Sequence, residues 1–106
     1  MHWNDAIHLM NKKQSLSRLF TRLYPICRNG NATVILYSTN SSISLSEFKS
    51  LDDITPYINN VGIDMFYIKT LKGDWRIYLD NYDTFELNND TLKIRFFNNK
   101  ETKISF

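Results

Sequence analysis

The side chains in this sequence that could do chemistry are few and scattered. His2 and His8 both lie near the N-terminus, where we interpret them as surface or partly packed residues rather than metal ligands. Arg28 could favour the thiolate of Cys27, but no nearby base would activate it, so a plain thiol is expected. A single cysteine excludes a disulfide within the chain and fits a reducing cytoplasm, that of the host cell if a phage carries the gene.

The acidic residues and the glycines do not form a recognisable active site either. Asp52 and Asp53 stand beside a predicted helix start, where they would offset the helix dipole. The run from Asp80 to Glu86 lacks the third acidic position and the glycine of a calcium loop. Three isolated glycines cannot build a phosphate-binding loop. We therefore predict no catalytic residue, no metal site and no cofactor, and we expect that the protein is not an enzyme.

Charge is the first feature that indicates binding. The formal net charge is only +2, but residues 1–32 carry +4, residues 33–71 carry −2 and the last 35 residues are balanced. Arg18 and Arg22 lie one helical turn apart, and such an arginine pair can hold phosphate or carboxylate oxygens. The alternative is an ordinary solvated helix face. The predicted partner-binding surface consists of Lys12, Lys13, Arg18, Arg22 and Arg28.

A second candidate surface combines basic and aromatic side chains on one face of a predicted sheet. Cations that follow a phosphate backbone and rings that stack on bases are what single-stranded nucleic acid requires. Cross-strand ion pairs are the simpler explanation for most of these charges, whereas Phe97 would be an exposed ring available to a partner. The predicted face contains Arg76, Tyr78, Lys93, Arg95, Phe97 and Lys103.

The basic N-terminal segment is expected to be helical. Apolar residues in 3–10 and in 16–23 each follow helical spacing, but the two stripes are rotated by roughly 140° relative to each other. One straight helix would have to be covered on two sides, so we favour a break at residues 13–15 and keep one long helix as the alternative. Pro25 should end the helical segment at residue 24.

The rest of the chain is predicted to be mainly β. Residues 33–37 are apolar without alternation, which is typical of a strand buried on both faces. Ser44 and Glu47 form a capping-box pattern, which predicts a short helical insertion near residues 45–60. From residue 63 onward, turn residues recur every seven to ten positions and separate alternating apolar and polar segments. This pattern predicts five short antiparallel strands.

Together these patterns predict a single α+β domain over residues 1–106. Helices in residues 1–24 would pack on one face of a mostly antiparallel β-meander of about five to six strands in residues 33–106. No apolar run approaches the length of a membrane span, so we expect no membrane partner.

Asn, Ile and Lys, which AT-rich codons encode, make up 31 of the 106 residues, as is typical of an AT-rich bacterial, viral or mobile-element genome. We expect a small non-enzymatic interaction protein that inhibits or regulates a host macromolecule by protein–protein binding, since aromatic residues and arginine are enriched at binding hot spots. Direct nucleic-acid binding through either surface is the alternative, and the nearly balanced charge argues against it. Homodimer formation stays open.

Overall fold

The chain begins with one long helix. The computed structural model describes the backbone of residues 3–106 and the side chains of residue 7 and residues 9–106, and α1 spans Trp3–Arg28. The prediction of a break at residues 13–15 is therefore wrong, and the alternative of one long helix is correct. Among the described side chains of the first apolar stripe, Ile7 is 45% and Met10 is 60% exposed, so these two positions are not covered by a second surface. The predictions about His2 and His8 concern side chains outside the described residues.

Helix α1 continues through Pro25 and ends at Arg28, so the predicted end before the proline is wrong. Proline removes one amide donor, but only a single turn follows it, so the loss is confined to the helix end. Gly30 then adopts a positive φ of 81°, and the Asn31 amide donates to the Ile26 carbonyl at 3.1 Å. This is the Schellman arrangement, which satisfies carbonyls that the last turn leaves without partners.

Four antiparallel strands form the first sheet, called sheet A. Its spatial order is β2-β1-β3-β4, so the first strand of the chain lies inside the sheet and β4 forms one edge. The strands are β1 (Thr33–Ser38), β2 (Ser42–Ser44), β3 (Ile63–Thr70) and β4 (Gly73–Tyr78). The helical insertion near residues 45–60 is present between β2 and β3. It consists of two 3-10 turns, Leu45–Glu47 and Leu51–Asp53, followed by α2 (Ile54–Asn60).

The remaining three strands form a separate antiparallel sheet, sheet B, in the order β5-β6-β7. They are β5 (Tyr82–Asn88), β6 (Thr91–Phe96) and β7 (Glu101–Ser105). Five strands after residue 63 are thus confirmed, but the single meander of five to six strands is wrong. The fold is α+β with seven strands in two sheets.

The two sheets are separate because the turn between β4 and β5 directs β5 away from β4, so the two strands do not pair. The Asn81 amide donates to the Tyr78 carbonyl at 3.0 Å, which closes a tight turn. The turn brings Tyr82 into the core, where its side chain is fully buried. Burial of this large aromatic ring stabilises the arrangement by removing apolar surface from water.

The core lies between α1 and the inner faces of both sheets. Leu16, Leu19 and Leu23 of α1 are buried against them. The Phe20 ring packs edge-to-face on Phe66 of sheet A, with centroids 5.1 Å apart, and Phe66 in turn packs on Tyr82 of sheet B at 6.5 Å. Three rings therefore connect the helix to both sheets.

Strand β1 is covered on one face only, so the prediction that both of its faces are buried is wrong. Val34 and Leu36 are buried, whereas Ile35 and Tyr37 on the other face are partly exposed. Both helices contribute to the core cluster on the inner side. No helix within residues 3–106 is long and apolar enough to cross a membrane.

Candidate interaction surfaces

The five basic residues predicted to form one surface on α1 lie on different sides of the helix. Lys12 donates to the Leu79 carbonyl, and Arg22 donates to the Leu87 carbonyl at 2.8 Å, on the side of sheet B. On the other side, towards the 45–60 insertion, two further basic residues reach carbonyls. They are Lys13, which donates to Asn59 O at 3.4 Å, and Arg28, which donates to Ser46 O at 3.2 Å.

These contacts give four of the five basic side chains a structural role within the fold. Each one satisfies a backbone carbonyl of a different neighbouring segment. The contacts of Lys12 and Arg22 are partly buried, whereas those of Lys13 and Arg28 are exposed to water, which weakens them. Lys13 reaches the last turn of α2, where carbonyls lack helical partners. Arg18 alone is exposed without a hydrogen bond or ion pair among the described residues.

Phe97 lies beside the helix rather than on a sheet face. It follows the last residue of β6, and the Lys12 ammonium stands 5.4 Å from its ring centroid and 5.8 Å from that of Tyr82. Partial burial lowers the pKa of Lys12, and the carboxylates of Asp80 and Asp83 oppose that shift. Phe97 remains 52% exposed, so its ring is both a contact for Lys12 and an accessible apolar group.

The predicted basic and aromatic sheet face is divided between the two sheets. Arg76 and Tyr78 belong to sheet A, whereas Lys93, Arg95 and Lys103 belong to sheet B. The prediction of a single face required β4 to pair with β5, and these strands lie in different sheets.

On sheet B most of the positive charge has an acidic neighbour. The Glu101 carboxylate lies 3.7 Å from the Lys93 ammonium and 3.2 Å from the Arg95 guanidinium. Glu86 stands opposite Lys93 in the register. Ion pairing within this face leaves little net charge to attract a phosphate backbone.

The outer face of sheet A has a different composition. Its side chains point away from α1 in two cross-strand rows, one of Tyr37, Met65 and Tyr78 and one of Ile35, Tyr67 and Arg76. None of these apolar side chains packs against the core cluster, and Tyr78 is 51% exposed. We call this surface the tyrosine face; it consists of Ile35, Tyr37, Met65, Tyr67, Arg76 and Tyr78.

The centre of the tyrosine face is held in place by contacts between its own strands. The Tyr67 hydroxyl donates to Asp74 Oδ2 at 2.9 Å, and the Arg76 guanidinium lies 5.5 Å from the Tyr67 ring centroid. The hydrogen bond to Asp74 raises the pKa of Tyr67, so the phenol keeps the proton that it donates to this carboxylate. A ring already fixed in this way loses less conformational entropy when a partner binds.

Residue type and spacing predicted Arg76 and Tyr78 as surface residues but did not predict the other four members of the tyrosine face. Strands β1 and β3 are apolar at both odd and even positions, so alternation could not show which face was outside. One signal was present: a single short helix and one long helix provide too little surface to cover both faces of a four-stranded sheet.

The cavities of the molecule are less informative. A small cavity of about 150 Å³ lies between α1, α2 and Leu79, and it is lined mostly by apolar side chains together with Lys12 and Lys13. Among the described residues, no group of three or more histidine, cysteine, aspartate or glutamate side chains could hold a metal ion. Comparisons of the chain with protein-family models, curated proteins and solved structures found no match.

Proposed function

We propose that the protein is a small non-enzymatic binding domain that contacts a partner protein through the tyrosine face. The observation that carries this proposal is the composition of that face: three tyrosines, a methionine, an isoleucine and an arginine lie together on the uncovered side of sheet A. Tyrosine, methionine and arginine are enriched in protein interfaces, and tyrosine and arginine dominate hot spots. Inhibition or regulation of a host protein by a phage or mobile-element product is the role we propose for this surface.

The tyrosine face is large enough to form only the centre of a protein interface, since a stable complex buries about 800 Å² on each partner. Two rows across three strands span roughly 10 Å by 7 Å between backbone positions, given strand spacings of about 4.8 Å and two-residue repeats of about 6.8 Å. Side chains and the neighbouring strand β2 extend this area. A flat apolar surface of this kind suits a protein, whereas small molecules need a concave site.

The test compares affinity capture by the wild-type chain with capture by Tyr37→Ala and by Tyr37→Ala combined with Met65→Ala. Both residues lie on inner strands of sheet A, so their truncation should leave the fold and the edge strand β4 intact. Phe97→Ala is the matched control because it removes an exposed ring elsewhere. We expect one protein to be retained by wild type and by Phe97→Ala and lost from both face variants. Equal retention by all four chains would contradict the proposal.

Nucleic-acid binding is the second candidate, and the observation that favours it is the exposed guanidinium of Arg18 one turn from Arg22. This candidate predicts binding to an oligonucleotide with an affinity that falls steeply with log salt, because neutralised phosphates release counterions. Arg18→Ala together with Arg22→Ala should flatten that slope. Absence of binding at low salt, measured by fluorescence anisotropy, would reject this candidate.

A further inference from the structure

Strand β4 is an edge strand whose outer side carries unpaired backbone groups. It pairs with β3 on one side and, within residues 3–106, with no strand on the other. The Leu79 amide donates to the Asp64 carbonyl at 3.1 Å, which fixes the hydrogen-bonded positions of this ladder. Because these positions alternate, Trp75 and Ile77 direct their backbone groups at β3. The residues that direct theirs outward are Asp74, Arg76 and Tyr78.

The side chains along this edge are complementary to those of a second copy of the same edge. Asp74 and Arg76 are both exposed, and neither forms a salt bridge within the described residues. When two copies of β4 pair antiparallel about a two-fold axis, Asp74 of each copy can stand opposite Arg76 of the other. Two opposite-charge pairs then form in one interface, and Lys72 of each copy stands opposite the Tyr78 ring of the other.

No neighbouring register achieves this match. Hydrogen bonding requires outward residues to face outward residues, so the register can shift only in steps of two. One such shift places Asp74 opposite Asp74, and the shift in the other direction places Arg76 opposite Arg76. Like charges directly opposite each other destabilise strand pairing, so both registers next to this alignment are disfavoured.

The other exposed edge with both signs of charge is less suited to self-association. On β7, Glu101 and Lys103 have the same spacing as Asp74 and Arg76, but Glu101 already forms ion pairs with Lys93 and Arg95 of its own chain. A second copy would have to replace contacts that already exist. On β4, by contrast, one oxygen of the Asp74 carboxylate accepts from the Tyr67 hydroxyl, and the other has no hydrogen bond from any residue that the structure describes.

We propose that the protein forms a symmetric homodimer by antiparallel pairing of the two β4 edges, with Asp74 of each copy opposite Arg76 of the other. The dimer extends sheet A to eight strands. A two-fold axis perpendicular to the sheet keeps both tyrosine faces on one side, so a partner would meet a surface twice as wide. The dimer does not depend on the proposed partner, and its test uses the purified chain alone.

The test is sedimentation velocity over a concentration series with two single charge reversals. Asp74→Arg places arginine opposite arginine, and Arg76→Asp places aspartate opposite aspartate, so each variant should dimerise about tenfold more weakly or worse. An equimolar mixture of the two should dimerise again, because every cross-strand pair then joins opposite charges. Lys103→Asp on β7 is the matched control and should dimerise like the wild type.

Two outcomes would overturn the proposal. One is a wild-type chain that stays monomeric at every concentration studied, and the other is a mixture of the two folded single variants that fails to associate. Hydrogen exchange on the wild type gives a measurement that needs no variant. The amides of Asp74, Arg76 and Tyr78 should become protected as concentration rises, and exchange that is independent of concentration would also refute β4 pairing.

Discussion

Removing the hydrogen bond between Ser15 and Tyr82 tests the arrangement in which α1 joins two separate sheets. The Ser15 Oγ and the Tyr82 hydroxyl are 2.7 Å apart, although 67 positions separate them in the sequence. Tyr82 opens β5 immediately after the turn that divides the sheets. The single meander predicted from the sequence does not require these two hydroxyls to be in contact.

Tyr82→Phe and Ser15→Ala should lower the unfolding free energy by different amounts, because the hydroxyl that each one leaves without a partner differs in burial. Tyr82→Phe keeps the buried ring and leaves the half-buried Ser15 hydroxyl able to turn towards water, so we expect a loss of about 0.5–1.5 kcal/mol in unfolding free energy. Ser15→Ala leaves the hydroxyl of fully buried Tyr82 without its partner, which costs about 1–3 kcal/mol. The higher helix propensity of alanine offsets about 0.5 kcal/mol of that loss.

The assay is a double-mutant cycle by urea denaturation, with Gln14→Ala as an exposed control on α1. The double variant should lose less than the sum of the single losses, with a coupling energy of about 1 kcal/mol. In thermal unfolding, 1 kcal/mol corresponds to about 4–8 °C for a domain of this size. A coupling energy below about 0.3 kcal/mol would refute the contact and with it the position of β5 against α1.

Two further predictions concern the core. Phe20→Ala should lower the unfolding free energy by about 3–5 kcal/mol because the fully buried ring packs edge-to-face on Phe66, whereas Arg18→Ala should change it by less than about 0.5 kcal/mol. Burial raises the pKa of the Cys27 thiol to about 11 from an ordinary value near 9. Between these two pKa values the folded state retains a proton that the unfolded state releases. The contribution of the Cys27 thiol to the unfolding free energy is therefore complete below about pH 9. It falls by about 2–3 kcal/mol as the pH rises from about 9 to about 11. Cys27→Ala should remove this part of the alkaline loss; equal pH profiles for both chains would contradict it.

The sequence predicted local structure better than the arrangement of the elements. The strands after residue 63 were predictable because turn residues separate them and apolar residues alternate within them. The division into two sheets was not, because it depends on a long-range contact: Tyr82 packs on Phe66 across the core instead of continuing the β4 ladder. The continuous α1 was not the favoured prediction because Ile7 and Met10 were expected to be covered, whereas both are exposed.

The same limit explains the candidate surfaces. Charge and residue type identified Arg76 and Tyr78. Which side of sheet A they lie on, and whether Tyr37 and Tyr67 lie beside them, depends on which face of the sheet the helices cover. The arginines and lysines of α1 looked like a free surface because sequence gives no information about the distant carbonyls that Lys12 and Arg22 reach.

The central claim is that the tyrosine face is the binding surface. The most direct test is the affinity of the captured partner for defined variants of this face. The measurement is the Kd of the purified partner for wild type, Tyr37→Ala and Phe97→Ala by biolayer interferometry. If Tyr37 is a hot spot, its truncation should raise the Kd about thirtyfold, which corresponds to about 2 kcal/mol, while Phe97→Ala should change it by less than about twofold. An unchanged Kd for Tyr37→Ala and for its combination with Met65→Ala would contradict the account.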